Sequence, residues 1–326
     1  MTGAGGSVGT ELSRQLLDAG PERLVLLGHG EHSLFTLQQE LAPRAAPGVL
    51  ETVVADIRHG SRIGRILREE RPDLVLHAAA HKHVPLMEHN VAEAITNNVL
   101  GTWVVLEAVT AVPSCALLLL STDKAVRPAS VMGATKQLAE GLVRHMAWVE
   151  GRRYAAIRFG NVLGSRGSVV PILAEQIRCG GPVTLTHPGM RRYFLGPDEA
   201  ARLVLEAALL MEGGELFATV MGEPVSITEL AERMIRTAGL EPGKDVAIEF
   251  RGIRPGEKVD EEPFFAAAST DPTDHPRLRL SRDPVPSAEW VAALRVLAEA
   301  AWAEAEEGRL LGELRRLCPD FAAVGG

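Results

Sequence analysis

Three consecutive side chains, Thr122, Asp123 and Lys124, place a hydroxyl, a carboxyl and an ammonium group in one short run. Such a run can move protons, because a carboxyl group can donate one and an amine can accept one when their surroundings shift the pKa values. A helix-like segment follows and carries Met132 and, four residues later, Lys136. An isolated Asp-Lys pair more often forms an ion pair in a surface turn, so the run gains meaning only from the motifs around it.

A glycine-rich turn opens the chain, with Gly3, Gly6 and Gly9 directly before a helix. Glycines permit a tight turn and let backbone N–H groups approach a pyrophosphate at the helix N-terminus. An ordinary β–α turn has the same pattern, but two later strand ends, at 56–57 and 78–80, favour a dinucleotide cleft, which such turns line. The residues predicted to bind the cofactor here are Gly3, Gly5, Gly6, Ser7, Val8, Gly9, Asp56, Ile57, Ala78 and Ala79.

Two features of this region depart from the usual pattern. Only Met1 and Thr2 precede Gly3, so we expect a truncated first strand, as in a mis-started chain or one cut from a longer protein. The next strand ends in Gly-His-Gly at 28–30, where an Asp or Glu would bind the adenosine ribose hydroxyls, and Glu31 is displaced from that position. NAD is the predicted cofactor, and NADP is the alternative.

Strand-like apolar runs alternate with helix-period segments through the first half, which predicts a doubly wound parallel sheet of Rossmann type in an α/β protein. The predicted strands cover 23–27, 51–56, 73–80, 115–121 and 154–162. We assign 1–162 to a dinucleotide-binding domain, with return segments near 197–221. Residues 163–326 are then mainly a smaller substrate-binding part and a C-terminal helical part. Ser226 and Glu229 form a capping box that begins one of its helices.

Composition limits the classes of partner. The chain has 326 residues and a formal net charge of −8, which argues against a broad nucleic-acid-binding face. The three cysteines are scattered without metal-ligand spacing, so we expect no metal site and a reducing cytoplasm. His81 and His83 fit packing at a helix entry better than metal binding. The longest apolar run is too short to span a bilayer, and no signal peptide precedes the first motif.

Six motifs in order carry a resemblance to a known family. They are TGAGGSVGTEL, HAAAHKHVPLMEHN, STDKAVRPASVMGATK, RFGNVLGSRGSVVP, THPGMRRYF and RPGEK. The chain resembles, to about Pro319, the bacterial UDP-N-acetylglucosamine 4,6-dehydratases, which are polysaccharide-biosynthesis enzymes of the extended short-chain dehydrogenase/reductase type. Long members have methionine where short members have the catalytic tyrosine, and this chain has Met132 at that position. Many long members also carry an N-terminal membrane region, so the chain is expected to be cytoplasmic or the cytoplasmic domain of a membrane-anchored homo-oligomer.

The resemblance implies a reaction in which a hydride leaves C4 of the sugar, water is eliminated across C5 and C6, and the hydride returns to C6. It makes Asp123 the acid and Lys124 the base, with Thr122 bound to the C4 hydroxyl and Lys136 to the nicotinamide ribose. Tyr154 and Tyr193 cannot replace the missing tyrosine, because no lysine lies four residues after either. Burial should raise the pKa of Asp123, and desolvation or a neighbouring cation should lower that of Lys124.

The same resemblance implies further contacts. On the cofactor side it adds Val162, Gly164, Ser165 and Arg166. On the side of a UDP-sugar it adds Lys82, Asn161, Arg254 for the diphosphate and Glu257 for the ribose hydroxyls. Arg192 could add charge to the diphosphate pocket or could form a structural salt bridge. The run EEPFF, at 261–265, replaces a leucine pair and makes local packing uncertain.

Two other functions stay open at this point. A nucleotide-sugar 4-epimerase shares the oxidation at C4, but it normally needs the tyrosine base and has no use for an acid–base pair for elimination. A non-catalytic dinucleotide-binding protein is the second alternative, and it would be favoured if the short first strand abolished cofactor binding.

Overall fold

The strands and helices of the computed structural model are described over residues 1–266 and 268–321. The strands are β1 (Leu24–Gly28), β2 (Leu50–Val54), β3 (Leu74–His77), β4 (Ala116–Leu120), β5 (Tyr154–Arg158), β6 (Asn161–Val162), β7 (Val183–Leu185), β8 (Arg191–Arg192), β9 (Phe194–Leu195), β10 (Leu216–Thr219), β11 (Val225–Ser226), β12 (Ile248–Phe250), β13 (Thr270–Pro272) and β14 (Leu278–Ser281). The helices are α1 (Ser7–Asp18), α2 (Glu31–Leu41), α3 (Gly60–Glu70), α4 (Val84–Glu88), α5 (Val91–Ile95), α6 (Gly101–Thr110), α7 (Val131–Glu150), α8 (Val169–Arg178), α9 (Pro197–Leu210), α10 (Ile227–Thr237), α11 (Ala288–Trp302) and α12 (Glu307–Leu317).

A mostly parallel sheet forms the centre of the molecule. Its strand order is β13-β14-β10-β5-β4-β3, and all pairs are parallel except at one edge, where β14 runs antiparallel to both of its neighbours, β10 and β13. Every residue of β4 and β5 is buried, as expected for strands covered on both faces. Their apolar runs, ALLLL and YAAIR, are the strongest strand patterns in the sequence, and both are strands.

The residues Met1 and Thr2 lie between β3 and the separate parallel pair β1–β2. Thr2 forms single parallel bridges to Leu27 and to His77. Its N–H donates to the carbonyl oxygen of Leu76 at 3.0 Å, and the N–H of Leu27 donates to that of Met1 at 2.9 Å. The segment predicted as a truncated strand is therefore hydrogen-bonded to a strand on each side.

Helices cover both faces of the sheet, which confirms the predicted doubly wound α/β fold. On one face α3 packs against α6, and α7 packs against β5; on the other, α1 packs against α9. Two separate apolar clusters fill the space under these helices, one around Val105 and Leu138 and one around Leu12 and Val204.

A smaller part joins the sheet on the C-terminal side of its strands. The parallel pair β7–β12 and the helices α8 and α10 share an apolar cluster that includes Leu173, Val183 and Ile235. Ser226 accepts a hydrogen bond from the N–H of Glu229 and begins α10, as the capping box predicts.

The division of the chain at residue 162 stays a prediction. The return segment expected at 197–221 contains α9 and β10. Two strands outside it, β13 and β14, also join the main sheet, and α11 and α12 pack against α5 and α7. None of the helices in residues 1–266 and 268–321 combines the length and the apolar character needed to cross a membrane.

Candidate active site

The glycine-rich turn leads from Thr2 into α1 and requires its glycines for space. Gly3 has a positive φ of 66°, and a Cβ there would lie 2.6 Å from the backbone nitrogen of Ala79. A Cβ on Gly9 would overlap the carbonyl oxygen of Gly3. No side chain caps the N-terminus of α1, so its first N–H groups stay free for an anionic ligand. The turn therefore fits a pyrophosphate.

The first cleft, of about 500 Å³, lies over this turn at the carboxyl ends of β3 and β4. Of the residues predicted for the cofactor, it is lined by Gly3, Gly6, Ser7, Val8, Gly9, Ala78, Lys136, Val162 and Ser165. Arg166 holds the turn from above: its guanidinium donates to the carbonyl oxygen of Gly5 at 2.6 Å, and its N–H donates to Ser7 Oγ at 2.9 Å. Gly164, just before it, has a positive φ of 67°.

Asp56 lies at the end of β2, where it is held by Arg58. The guanidinium donates hydrogen bonds to both carboxylate oxygens, the shortest of 2.7 Å, and these bonds lower the pKa of Asp56 to about 2. Ile57 is buried, and a Cβ on Gly101 would approach it within 2.5 Å. Any contact of Asp56 with an adenine would thus be made by a carboxylate already paired with Arg58.

The end of β1 lacks an acid that could bind ribose hydroxyls. His29 is exposed there, and Ser33 Oγ donates to the carbonyl oxygen of Gly30 at 2.8 Å. Glu31 is exposed at the first position of α2. The choice between NAD and NADP stays as open as it was from the sequence.

Asp123 is the most buried group of the predicted catalytic set, with no exposed surface. It begins a short 3₁₀ turn, 123–125, directly after β4, and its Oδ1 accepts hydrogen bonds from Thr122 Oγ1 at 2.8 Å and Lys124 Nζ at 2.9 Å. Among the described residues, Oδ2 is buried without a hydrogen-bond partner. A buried carboxylate oxygen without a partner is costly. Asp123 is not among the residues that line the first cleft or the second cleft described below, and it reaches them only through its contacts with Thr122 and Lys124.

Lys124 links Asp123 to the rest of the site. Its Nζ also donates to Asn161 Oδ1 at 3.2 Å and lies 3.4 Å from Glu261 Oε1. Burial lowers the pKa of Lys124, but the negative charges of Asp123 and Glu261 raise it by more, and the net change is upward. The expectation of a lowered pKa is therefore wrong for this arrangement, because two carboxylates and not a cation lie closest to the ammonium group.

Met132 and Lys136 lie one turn apart on α7, and both line the first cleft with Lys124. Met132 is 3% exposed, so its thioether is part of the cleft wall. Lys136 Nζ donates to the carbonyl oxygen of Leu120 at 2.7 Å, and burial lowers its pKa to about 8 against the opposing effect of Glu140. The methionine thus lies in the wall beside a lysine that is easily deprotonated.

A second cleft, of about 710 Å³, continues from the first toward the smaller part of the molecule. Lys82, Lys124 and Asn161 line both clefts. Burial lowers the pKa of Lys82, and Arg166 lowers it further. Asn161 Nδ2 donates to the carbonyl oxygen of Tyr193 at 3.1 Å, so both ends of its amide are fixed while it faces the cleft.

The three predicted UDP-binding side chains Arg192, Arg254 and Glu257 line the second cleft. Arg254 is more than half exposed and forms an ion pair with Glu257. Arg192 is buried, and its guanidinium donates to the carbonyl oxygens of Lys258 and Val259 at 2.7 and 2.8 Å. Those bonds match the structural alternative for Arg192, and a role in diphosphate binding stays a prediction.

Glu261 is the side chain in this site that the sequence did not single out. It lines the second cleft and is 7% exposed. The only signal for it in the sequence is the acidic pair that begins EEPFF, four residues after Glu257, and that run predicts a change in local packing and not a site residue. Its contact with Lys124 depends on how an irregular segment folds back over the site, and no periodicity predicts that.

The sequence is similar to those of known polysaccharide biosynthesis proteins. The family described as "Polysaccharide biosynthesis protein" matches residues 1–282. The capsular polysaccharide biosynthesis protein CapD of Staphylococcus aureus is 49% identical over 264 residues, which are 80% of this chain and 44% of that protein. The chain thus spans less than half the length of that relative.

Two further comparisons cover larger shares of the other protein. A UDP-N-acetylglucosamine 4,6-dehydratase (inverting) of Campylobacter jejuni subsp. jejuni serotype O:2 is 32% identical over 268 residues, 80% of this chain and 75% of that enzyme. The X-ray structure of Pen from Bacillus thuringiensis superimposes with a TM-score of 0.79 at 30% identity, covering 88% of this chain and 87% of that one.

Proposed function

The chain belongs to the polysaccharide biosynthesis protein family, which matches it over residues 1–282, and from that premise we propose that it is a nucleotide-sugar 4,6-dehydratase. One observation carries the proposal: Lys124, which lines both clefts, forms a hydrogen-bonded acid–base pair of 2.9 Å with the fully buried Asp123 behind it. Elimination of water needs an acid and a base close together, and this pair supplies both. UDP-N-acetylglucosamine is the proposed substrate, since a relative 32% identical bears that activity in its name.

The first cleft is the proposed site for NAD, with NADP as the alternative. The glycine turn and the free N-terminus of α1 would hold the pyrophosphate, Arg166 would keep the turn in place, and Lys136 would bind the nicotinamide ribose. When bound, the nicotinamide supplies a reversible hydride acceptor. The fit rests on the tightness of the turn at Gly3 and Gly9, where a Cβ would clash with backbone atoms of Ala79 and of Gly3.

Asp123 and Lys124 would together carry out the proton transfers of the elimination. In the ligand-free protein their charges stabilise each other, so Lys124 is an ammonium ion with a raised pKa. Moving one proton along the 2.9 Å hydrogen bond turns this ion pair into a carboxylic acid and a neutral amine. The amine can then take the proton from C5, and the acid can protonate the departing hydroxyl on C6.

The remaining side chains would bind and position the nucleotide sugar. Thr122 would accept or donate a hydrogen bond at the C4 hydroxyl, and Asn161, fixed at both ends of its amide, would contact the sugar. Met132 has no proton to give and shapes the wall. In the second cleft Lys82, Arg254 and Glu257 are the proposed contacts for UDP.

Incubation of the protein with UDP-N-acetylglucosamine and NAD, followed by mass spectrometry, tests the proposal. A product lighter by one water supports it. A product of unchanged mass with inverted C4 would instead identify a 4-epimerase, and bound dinucleotide without any product would identify a non-catalytic binding protein. The expected cytoplasmic location and homo-oligomeric state remain predictions, to be tested by cell fractionation and by light scattering.

A further inference from the structure

Glu261 is a buried acid beside the proposed pair, and its contacts are unusual for a structural residue. Its Oε1 lies 3.4 Å from Lys124 Nζ and 3.6 Å from Arg192 Nε, and its side chain is 3% exposed. Within the described part of the chain, Oε2 is buried and has no hydrogen-bond partner. A carboxylate that only seals a core normally has both oxygens satisfied.

The surrounding backbone fixes the position of Glu261. Arg192, the last residue of β8, holds the segment that carries Glu261 through two carbonyl oxygens, those of Lys258 and Val259. Lys258 Nζ donates to the carbonyl oxygen of Val126 at 3.1 Å and ties the same segment to the residues that follow Lys124. The approach of Glu261 to Lys124 is thus built by contacts from two directions.

Four charged side chains meet at this point. Asp123 and Glu261 contribute two carboxylates, and Lys124 and Arg192 contribute two cations within 4 Å of them. Lys258 faces the cluster from the same segment. Burial lowers the pKa of Lys258, and the negative charges of Glu261 and Asp123 oppose that effect. Glu262, the residue after Glu261, forms an ion pair with Arg127, and its side chain is more exposed than that of Glu261. Removing Glu261 would leave Lys124 with one carboxylate and with Arg192 as an uncompensated neighbouring cation.

We propose, on the basis of the dehydratase function above, that Glu261 is a positioning residue for the elimination: it shares the ammonium group of Lys124 with Asp123 and sets the pH above which Lys124 loses its proton. Asp123 alone would bind the ammonium on one side. With Glu261 on the other side, Nζ is held between two carboxylates and Asn161, and its proton stays available for transfer to Asp123 over a wider pH range.

A measurement without substrate tests this directly. Lys124 lines both clefts, and 22% of its side chain is exposed, so acetic anhydride can reach it. Acetylation of Lys124, read by mass spectrometry of its peptide as a function of pH, reports the neutral amine. In Glu261→Gln the midpoint should fall by about one to three pH units, the usual effect of removing an opposite charge at this distance. Glu262→Gln, the matched control, should leave the midpoint where it is.

A second variant at the same position separates loss of charge from misfolding. Glu261→Asp keeps the charge, so its midpoint should lie closer to wild type than that of Glu261→Gln. Equal midpoints in wild type and Glu261→Gln would overturn the proposal, and so would equal shifts in Glu261→Gln and Glu262→Gln, because a merely structural role would not depend on the charge of one particular carboxylate.

The pH profile of turnover links the proposal to the reaction. The alkaline limb of kcat/KM, which reports the free protein, should move to lower pH in Glu261→Gln by the same amount as the acetylation midpoint, while KM at neutral pH changes little. If wild-type protein does not release water from any nucleotide sugar, the dehydratase function fails, yet the acetylation experiment still decides the role of Glu261. If wild type is active and the limb does not move, only the role of Glu261 fails.

Discussion

At the residue scale, the proposed function divides the side chains at the first cleft into proton carriers and a shaped wall. Asp123 and Lys124 would carry the protons, whereas the buried Met132, 3% exposed, offers a thioether that can neither give nor take one. The sequence predicted the neighbourhood of these three residues because they are close along the chain. The pKa of Lys124 is raised by Asp123, its neighbour along the chain, and also by Glu261, which reaches the site only through the tertiary fold, so the sequence could not predict the second contribution.

Replacing Met132 by alanine should leave measurable dehydratase activity, because the change removes part of a wall and no proton carrier. Asp123→Asn keeps the shape of the carboxyl group but loses the proton donor, so turnover should fall by about 10²–10⁴-fold. The measurement is kcat of both variants on one nucleotide sugar. An inactive methionine variant beside a fully active asparagine variant would reverse the division of roles.

Lys124→Ala should abolish loss of water but leave nucleotide-sugar binding largely intact, since it removes the proposed base and not a diphosphate contact. Calorimetry with UDP-N-acetylglucosamine and a turnover assay on the same preparation separate the two effects. Lys244→Ala, in an exposed ion pair with Glu241, is a control that should change neither. Substantial remaining turnover in Lys124→Ala would place the base elsewhere.

At the scale of elements, the start of α7 determines where the turn at 123–125 lies. Ser130 accepts a hydrogen bond from the N–H of Gly133 at 3.0 Å and begins the helix. A Cβ on Gly133 would overlap the carbonyl oxygen of Lys124 and lie 3.0 Å from Pro128 Cβ. The helix and the turn 123–125 therefore touch through a residue without a side chain, and the spacing between Lys124 and Met132 depends on that contact.

Gly133→Ala should displace the turn and reduce kcat by up to about 10²-fold, which is what a displacement near 1 Å can cost. Gly141→Ala is a matched control in the same helix: its Cβ would lie 2.9 Å from the ring of Trp290, far from the turn. Both variants should lose about 1–3 kcal/mol of stability by overpacking. Only Gly133→Ala should lose turnover per folded molecule, as measured by urea unfolding alongside kinetics; equal turnover in the two would contradict this role.

The irregular segment at 251–261 carries the proposed nucleotide contacts. Arg254→Ala should weaken UDP-sugar binding by about 1.5–3 kcal/mol, typical of a hydrogen bond to a charged group. Calorimetry checks this, with Arg178→Ala, in an exposed ion pair with Glu175 outside the clefts, as the control. Unchanged affinity in the Arg254 variant would remove Arg254 from the diphosphate contacts.

The elements with strong local patterns were predictable, and those that depend on tertiary contacts were not. The runs at 115–121 and 154–162 contain β4 and β5, and Ser226 caps α10. The strands β13 and β14 escaped prediction because TDP and LRLS are too short for a clear pattern, and they become strands by pairing at the sheet edge. The π-helical turn Thr96–Leu100 has no sequence signal.

At the scale of the whole molecule, His77 joins the two parts of the sheet. Its Nδ1 lies 2.7 Å from Thr2 Oγ1 and its Nε2 lies 3.1 Å from Thr102 Oγ1, and the ring is fully buried. Burial, and then the charge of Lys136, lower its pKa to about 3. The folded protein therefore keeps this histidine neutral over the pH range in which an unfolded chain would protonate it.

This difference predicts loss of stability in acid. The unfolded chain takes up the proton below about pH 6.5, whereas the folded chain resists until about pH 3, so stability is present above pH 6.5 and falls between these values. By about pH 5 the loss from His77 alone should be about 2 kcal/mol. Urea unfolding at about pH 8 and 5 should give a smaller difference for His77→Gln than for wild type. His89→Gln, exposed, should keep the full difference; an identical pH dependence in all three would contradict the assignment.

The short path between Arg254 and Glu261 has a consequence for protein engineering. One segment, tied down by Arg192 and Lys258, carries both the proposed nucleotide contacts and the acid that faces Lys124. A chimaera that exchanged this segment for that of a relative, to change which nucleotide is accepted, would therefore also transplant the pH optimum. Under the two proposals, substrate preference and working pH would be inherited together, and a designer who wants to change only the accepted nucleotide must keep Glu261 in place.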